Sequence, residues 1–279
     1  MSDADVAQAE AAISKLRAEH HLLLLLDFDG TLTEFNPDPE AVQLPDARRD
    51  ILLDLAEAPD LTLGIVSGRR LDDVRSRTRL PARVWYSRLH GLEIEGPGVR
   101  FMHPDAEKAL TVLRQLAPVL ASDLSALPGV FLEDKKLSLV AHFREASSED
   151  AGRVPGIIDR HTRPYLDSGL FRLMHGACML ELLPNIDWNK GSAVRWIHER
   201  VASNHETATV YVGDDVTDQD AFAAVLGYGF SVAASRRAKG ADVQVDGPAE
   251  VEALLRRLVP ARIEGLDITN DTHKDYRRT

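Results

Sequence analysis

Short apolar runs alternate with amphipathic, charge-flanked stretches along most of this chain. Leu22 to Leu26 is an unbroken apolar run without polar alternation, which predicts a strand buried on both faces. Helical periodicity over Arg48 to Ala58 follows, then a strand at Leu61 to Val66 and a helix at Arg69 to Thr78. Beyond residue 185 the alternation resumes. It predicts a helix over Asn189 to Ser203, a strand over Thr209 to Gly213 and a helix over Thr217 to Leu226. Short strands at Gly229 to Ala233 and Val243 to Val245, and a helix over Pro248 to Leu258, complete the series. Strand and helix in turn predict an α/β fold with a doubly wound parallel sheet.

Residues 100 to 184 break this rhythm. A long helical pattern runs from Asp105 to Ala126, and two β-like stretches, 130–145 and 171–184, flank a second helical pattern at 148–166. We read an inserted α+β cap domain over 100–184, with the core split into 1–99 and 185–265. A polar tail over 266–279 is expected to be ordered poorly or not at all. The N-terminal stretch is Ala-rich, charged and helical in period, and it is read as neither a signal peptide nor an anchor; the leucine run is far short of the ~20 residues that span a bilayer.

Composition narrows the partners. Thirty-three Lys and Arg against 44 Asp and Glu leave a net charge of −11, and no basic run is longer than a pair such as Arg69-Arg70, Arg236-Arg237 or Arg256-Arg257. Nucleic acid and anionic membrane surfaces are excluded as expected partners. A single cysteine, Cys178, excludes an internal disulfide and multi-thiolate metal sites, which leads us to expect a cytoplasmic protein.

Ligands of doubly wound sheets bind beyond the carboxyl ends of the strands, and four polar clusters fall there. Asp27-Phe28-Asp29-Gly30-Thr31 follows the leucine strand, with Gly30 permitting a turn that turns carboxylates and backbone N–H groups into one space. Ser67-Gly68-Arg69 follows the second strand, where Ser67 is expected to cap the next helix. Asn189-Lys190-Gly191 opens a helix, and Gly213 to Asp218 (GDDVTD) follows a later strand. Each cluster alone is equally a common turn, cap or solvated loop. No Walker-type loop, His-Glu-x-x-His pair or Gly-x-Ser-x-Gly elbow competes with them.

Together, and in this order, the four clusters resemble the motifs of the haloacid-dehalogenase-like phosphatases. That resemblance implies that Asp27 attacks phosphorus and that Asp29 serves as acid and then base. It implies that Gly30, Thr31, Ser67, Gly68, Lys190 and, more weakly, Arg69 bind the phosphoryl oxygens. Mg2+ would be held by Asp27, Asp29 through its carbonyl, and Asp214, with Asp215 and Asp218 supporting the metal loop. A free aspartate titrates near ~3.9, so Asp27 is expected to be ionised at neutral pH.

The stretch from Thr31 to Ser67 is too short for a cap, whereas Gly68 to Lys190 has room for one. Within that branch the chain resembles the trehalose-6-phosphate phosphatase family in Asp27 to Pro45, His90 to Ile94, Leu132 to Arg144, Leu180 to Val194 and Val212 to Phe222. The resemblance implies a sugar phosphate substrate gripped by Glu133, Lys135, His142, Arg144 and Glu181 from the cap and His90 from the core. Without it, carboxylates and histidines on an alternating strand are more often solvated than ligand-bound. It also implies a monomer, with possible functional coupling to a trehalose-phosphate synthase. Two positions depart from the family, Ala177 and Leu183, where basic residues are usual. Related phosphatases of glucosyl- or mannosyl-phosphoglycerate or of sucrose phosphate, and a non-catalytic sugar-phosphate sensor, remain open.

Overall fold

All five residues of the leucine run are fully buried, and they divide between two apolar layers. Leu22, Leu24 and Leu26 join one cluster, and Leu23 and Leu25 the other, as the two-residue period of a strand requires. The computed structural model describes residues 3–34, 36, 41–69, 71–135, 137–176 and 178–260, without the side chains of Leu71 and His90. Arg70, Pro39, Glu40, Ala177 and the tail over 266–279 therefore lie outside the described residues.

The leucine strand β1 (His21–Leu26) sits in the middle of an eight-stranded sheet, preceded by helix α1 (Asp3–Glu19) and followed by α2 (Asp46–Glu57) and β2 (Leu61–Val66). Helix α3 (Leu71–Thr78) leads to β3 (Trp85–Arg88), a 3-10 turn at Leu89–Gly91, β4 (Glu93–Gly96) and β5 (Val99–Met102). The second half supplies α6 (Lys190–Ala202), β10 (Thr207–Gly213), a 3-10 turn at Val216–Asp218, α7 (Gln219–Val225), β11 (Gly229–Ala233), β12 (Val243–Gln244) and α8 (Pro248–Leu258). Strand order is β12-β11-β10-β1-β2-β3-β4-β5, parallel from β12 to β3 and antiparallel at β4 and β5. Helices α1, α2 and α8 bury Ile13, Leu52 and Leu254 on one face; α6 and α7 bury Ile197 and Phe222 on the other. Burying one leucine stabilises by about 1.5–3 kcal/mol, so the β1 run alone gives this centre a rigid seat.

Between the halves, α4 (Pro104–Leu124) and α5 (Ser148–Asp167) cover one face of a four-stranded antiparallel sheet. Its order is β6 (Phe131–Asp134), β7 (Leu139–His142), β9 (Met179–Pro184), β8 (Phe171–Gly176). Leu139, Ala141, Leu180, Leu182 and Phe171 point to the helices. The opposite face carries Phe131 and Glu133, His142, Glu181 and Leu183, and Arg172 and Met174, because register pairs these positions across the sheet. Among the described residues no helix is long and apolar enough to cross a membrane.

Three sequence expectations need adjustment. The helix expected over Thr217 to Leu226 is a 3-10 turn followed by a short α-helix, since Asp215 and Asp218 cap one another's backbone N–H groups and tighten the first turn. Ser67 does not cap a helix: its hydroxyl accepts from Arg69 N at 3.1 Å, and α3 starts only at Leu71. The antiparallel extension β3 to β5 was not foreseen. Its strands are four residues each, too short for a readable period, and β5 carries the large sheet to Met102.

Candidate active site

Parallel pairing in register brings the clusters together. Leu26 lies beside Val212 of β10 and Ile65 of β2, so the residues that follow each strand emerge at one carboxyl edge. Asp27 N donates to Val212 O at 2.9 Å and Ser67 N to Ser87 O at 2.9 Å, which extends the ladder into the site itself. Gly30 turns the chain at φ +80°; a side chain there would be strained, and its Cβ would clash with the Asp214 carboxylate. Thus Gly30 leaves the space over which the Asp214 carboxylate lies.

Lys190 is the hub. Asn189 caps α6 by accepting from Ser192 N at 2.9 Å, and Lys190, the first helical residue, is 4% exposed. Its Nζ donates to Asp27 Oδ1 at 2.8 Å and to Asp218 Oδ1 at 2.6 Å. Asp218 also accepts from Tyr211 Oη at 2.6 Å and, through Oδ2, from Asp214 N at 3.1 Å and Asp215 N at 2.9 Å. Both oxygens of Asp218 are therefore each engaged by two donors, and it fixes Lys190 and the loop carrying Asp214 and Asp215 in place.

Burial pushes the Asp27 carboxyl up to about 7, against the pull of Lys190 and helped by the negative charges of Asp218 and Asp214. Burial thus opposes the ionised form expected of an ordinary aspartate, and Lys190 favours it. Burial by itself would lower the Lys190 ammonium, but Asp27 and Asp218 raise it above the usual lysine range, so it stays charged. Burial raises Asp214 as well, partly opposed by a hydrogen bond from Arg237. Burial, and then Asp218, lifts the Tyr211 phenol well above its ordinary range, so it remains a donor.

Oxygens of Asp27, Asp214 and Asp218 lie within 4.8 Å of one another, a spacing that can hold a metal ion. Because the four donors on Asp218 use its lone pairs, Asp27 and Asp214 have the freer oxygens. The set is all oxygen, which suits a hard cation.

Asp29 and Arg69 are arranged otherwise than the motif implies. Arg69 forks onto Asp29, Nε to Oδ2 at 2.6 Å and Nη2 to Oδ1 at 2.7 Å, and Nη1 reaches Asp73 at 2.9 Å. Its guanidinium lies over the Phe28 ring, 5.6 Å from the centroid. Thr31 is fully buried, and its hydroxyl has no hydrogen-bond partner among the described residues. Gly68 follows Ser67 at the same edge.

On the small sheet, the open face gathers several of the remaining candidates. His142 Nε2 and Glu133 Oε2 are 2.8 Å apart, and the His142 ring stacks on Phe131 with centroids 4.6 Å apart and planes 15° from parallel. Glu181 Oε1 accepts from Ser138 Oγ at 2.6 Å and lies 3.9 Å from Lys135 Nζ. Arg144 is exposed just beyond β7, outside this contact network. His90 follows β3 on the large sheet, and its side chain is among those not described. Leu183 stands opposite Arg172, an exposed cation on the neighbouring strand.

Sequence reasoning missed Tyr211, Asp73, Ser138, Phe131 and Arg237. Only Asp73 carried a signal, lying four residues after Arg69 at helical spacing.

The trehalose-phosphatase family model matches residues 25–244. Trehalose-phosphate phosphatase of Mycobacterium avium (strain 104) is 34% identical over 226 residues, covering 80% of this chain and 56% of that protein. The protein of the same name from Mycobacterium tuberculosis (strain ATCC 25618 / H37Rv) is 32% identical over 243 residues, covering 84% and 60%. This chain thus spans under two thirds of the length of these curated relatives. Among solved structures, Aspergillus fumigatus trehalose-6-phosphate phosphatase superposes with a TM-score of 0.61 at 24% identity, covering 88% of this chain and 95% of that one. A haloacid dehalogenase-like hydrolase from B. subtilis reaches 0.51 at 16% identity, covering 85% and 99%. Both share the fold.

Proposed function

The chain belongs to the trehalose-phosphatase family, and from that premise we propose that it hydrolyses trehalose 6-phosphate to trehalose and phosphate. The observation that carries this reading is the convergence of Asp27, Lys190 and Asp214 at the carboxyl edge of the sheet. A buried cation 2.8 Å from a carboxylate offers a place for a phosphoryl group beside a nucleophile.

In the first step an oxygen of Asp27 forms a bond to phosphorus as the bond to the sugar oxygen breaks. Asp29 supplies the proton that oxygen needs. In the second, water attacks phosphorus, Asp29 takes its proton, and the bond to Asp27 breaks to give phosphate. Since Arg69 forks onto Asp29, proton transfer requires that fork to loosen when substrate arrives. Lys190, Ser67, the N–H groups near Gly30 and Gly68, and the Thr31 hydroxyl hold the phosphoryl oxygens. Asp27, Asp214 and the Asp29 carbonyl would hold Mg2+, with Asp215 and Asp218 shaping the loop. When bound, the ion supplies positive charge that draws the substrate in and lowers Asp27 from its raised value.

We assign residues 1–99 and 185–265 to the core and 100–184 to the cap, whose open face holds the sugar through Glu133, His142, Lys135 and Glu181, with Arg144 and His90 reaching it from its margins. Leu183 removes a usual cation, and Ala177 is the second such departure.

A panel of purified phosphosugars, including trehalose 6-phosphate, glucose 6-phosphate, sucrose 6-phosphate and glucosyl-phosphoglycerate, assayed for released phosphate tests the specificity. Trehalose 6-phosphate is expected to be hydrolysed with the highest kcat/KM. Turnover no faster than that of glucose 6-phosphate overturns it.

A further inference from the structure

One of the few basic runs in this acidic chain, Ser235-Arg236-Arg237-Ala238-Lys239, has no part in the reaction described above. It forms the loop between β11 and β12, and three contacts fix it in place. Ala234 N donates to Gly213 O at 2.8 Å, one residue before Asp214; Arg237 N donates to Ser235 Oγ at 3.0 Å; and Ala234 and Ala238 are buried on either side of Arg237. From this seat Arg237 Nη2 donates to Asp214 Oδ2 at 2.7 Å. The arginine side chain is 57% exposed, whereas that of Asp214 is 5% exposed, so the guanidinium reaches in from solvent to a buried carboxylate.

The charges around that carboxylate explain the need. Asp27 and Asp218 cluster with Asp214, Asp215 adds a further negative charge, and Lys190 is already shared between Asp27 and Asp218. Arg69 is taken by Asp29 and Asp73. Arg237 is thus the cation left to neutralise Asp214 among the described residues.

We infer that Arg237 is the placeholder of the metal site: it pairs with Asp214 in the metal-free protein and competes with the divalent ion for that carboxylate. The inference rests on the reading of Asp214 as a metal-holding residue. Arg237 acts through Asp214 and sets how tightly metal is held, so it is a positioning residue. An exposed-to-buried ion pair is worth about a kilocalorie at most, which corresponds to roughly fivefold in a binding constant.

Isothermal titration of the metal-free protein with Mg2+, without substrate, tests this on wild type, Arg237→Gln and Arg237→Lys. Arg237→Gln is expected to bind Mg2+ roughly fivefold more tightly and, in chelator, to unfold at a lower temperature than wild type. Arg237→Lys, which keeps the charge, is expected to lie near wild type in both. If Arg237→Gln binds Mg2+ as wild type does, or more weakly, the competition is refuted while the metal reading stands. If wild type takes up no Mg2+, the metal reading fails and this inference with it. Should Arg237→Gln fold poorly, Arg237→Met takes its place in the titration: Mg2+ binding roughly fivefold tighter than wild type supports the competition, and binding equal to or weaker than wild type refutes it.

Discussion

At the carboxyl edge of the large sheet, Asp27, Lys190, Asp214 and Asp218 are buried, and each is gripped by at least one charged partner. On the open face of the small sheet, Glu133, Lys135 and His142 are partly exposed and touch only close neighbours. The first region is preorganised: burial fixes geometry and shifts titration before any substrate arrives. The second leaves its polar groups solvated, so on the proposed reading their contribution would arise when a sugar displaces water. Truncation in the first region should cost chemistry and stability together, and in the second it should cost affinity alone.

The largest effect is expected from Asp27→Asn, which keeps the shape and removes the proposed nucleophile. Activity should fall at least ~10⁴-fold with the circular dichroism spectrum unchanged; residual turnover within tenfold of wild type contradicts the assignment. Next, Lys190→Met leaves Asp27 and Asp218 buried without their shared cation. It should destabilise by about 3 kcal/mol in denaturant unfolding as well as abolish activity. A loss under half a kilocalorie would show that the hub is not structural.

Smaller effects sharpen the other half of the comparison. Glu181→Gln is expected to raise KM roughly tenfold with kcat nearly constant and stability within about 0.5 kcal/mol. A fall in kcat with constant KM would move Glu181 into the chemistry. The smallest effect lies far from both regions, at the amino end of β1. His21 is lowered by burial and by the stacked His205, with ring centroids 4.4 Å apart. A histidine held neutral in the fold binds its proton more readily when unfolded, so its stabilisation is lost as pH falls below its ordinary value near 6.5. His21→Gln should therefore flatten the decline of melting temperature between about pH 7 and pH 5; an unchanged slope would remove His21 as its cause.

Much of this was legible in the chain, and the exceptions have physical reasons. The leucine strand was readable because burial on both faces replaces polar alternation with an unbroken apolar run. Asp27, Lys190 and Asp214 were readable because each sits at the end of a strand or the start of a helix. Tyr211 was hidden by its strand, where an aromatic ring needs no functional reason. Arg237 was hidden because a loop carries it to Asp214 across 23 positions, and no local period encodes that approach. The Arg69 fork on Asp29 was not legible for a related reason, since an arginine beside a phosphate motif suits a phosphate as well as a carboxylate. The short strands β3 to β5 lacked a period, though Gly96-Pro97-Gly98 marked the turn between two of them.

The central claim is that the Asp27 carboxylate accepts the phosphoryl group. Mixing the protein with trehalose 6-phosphate and Mg2+, quenching in acid within one turnover and mapping peptides by mass spectrometry tests it directly. One added phosphoryl group on the peptide carrying Asp27, removed by hydroxylamine and missing from Asp27→Asn, is the result expected. Phosphate release at full rate with that peptide never modified, or the label on another residue, would contradict it.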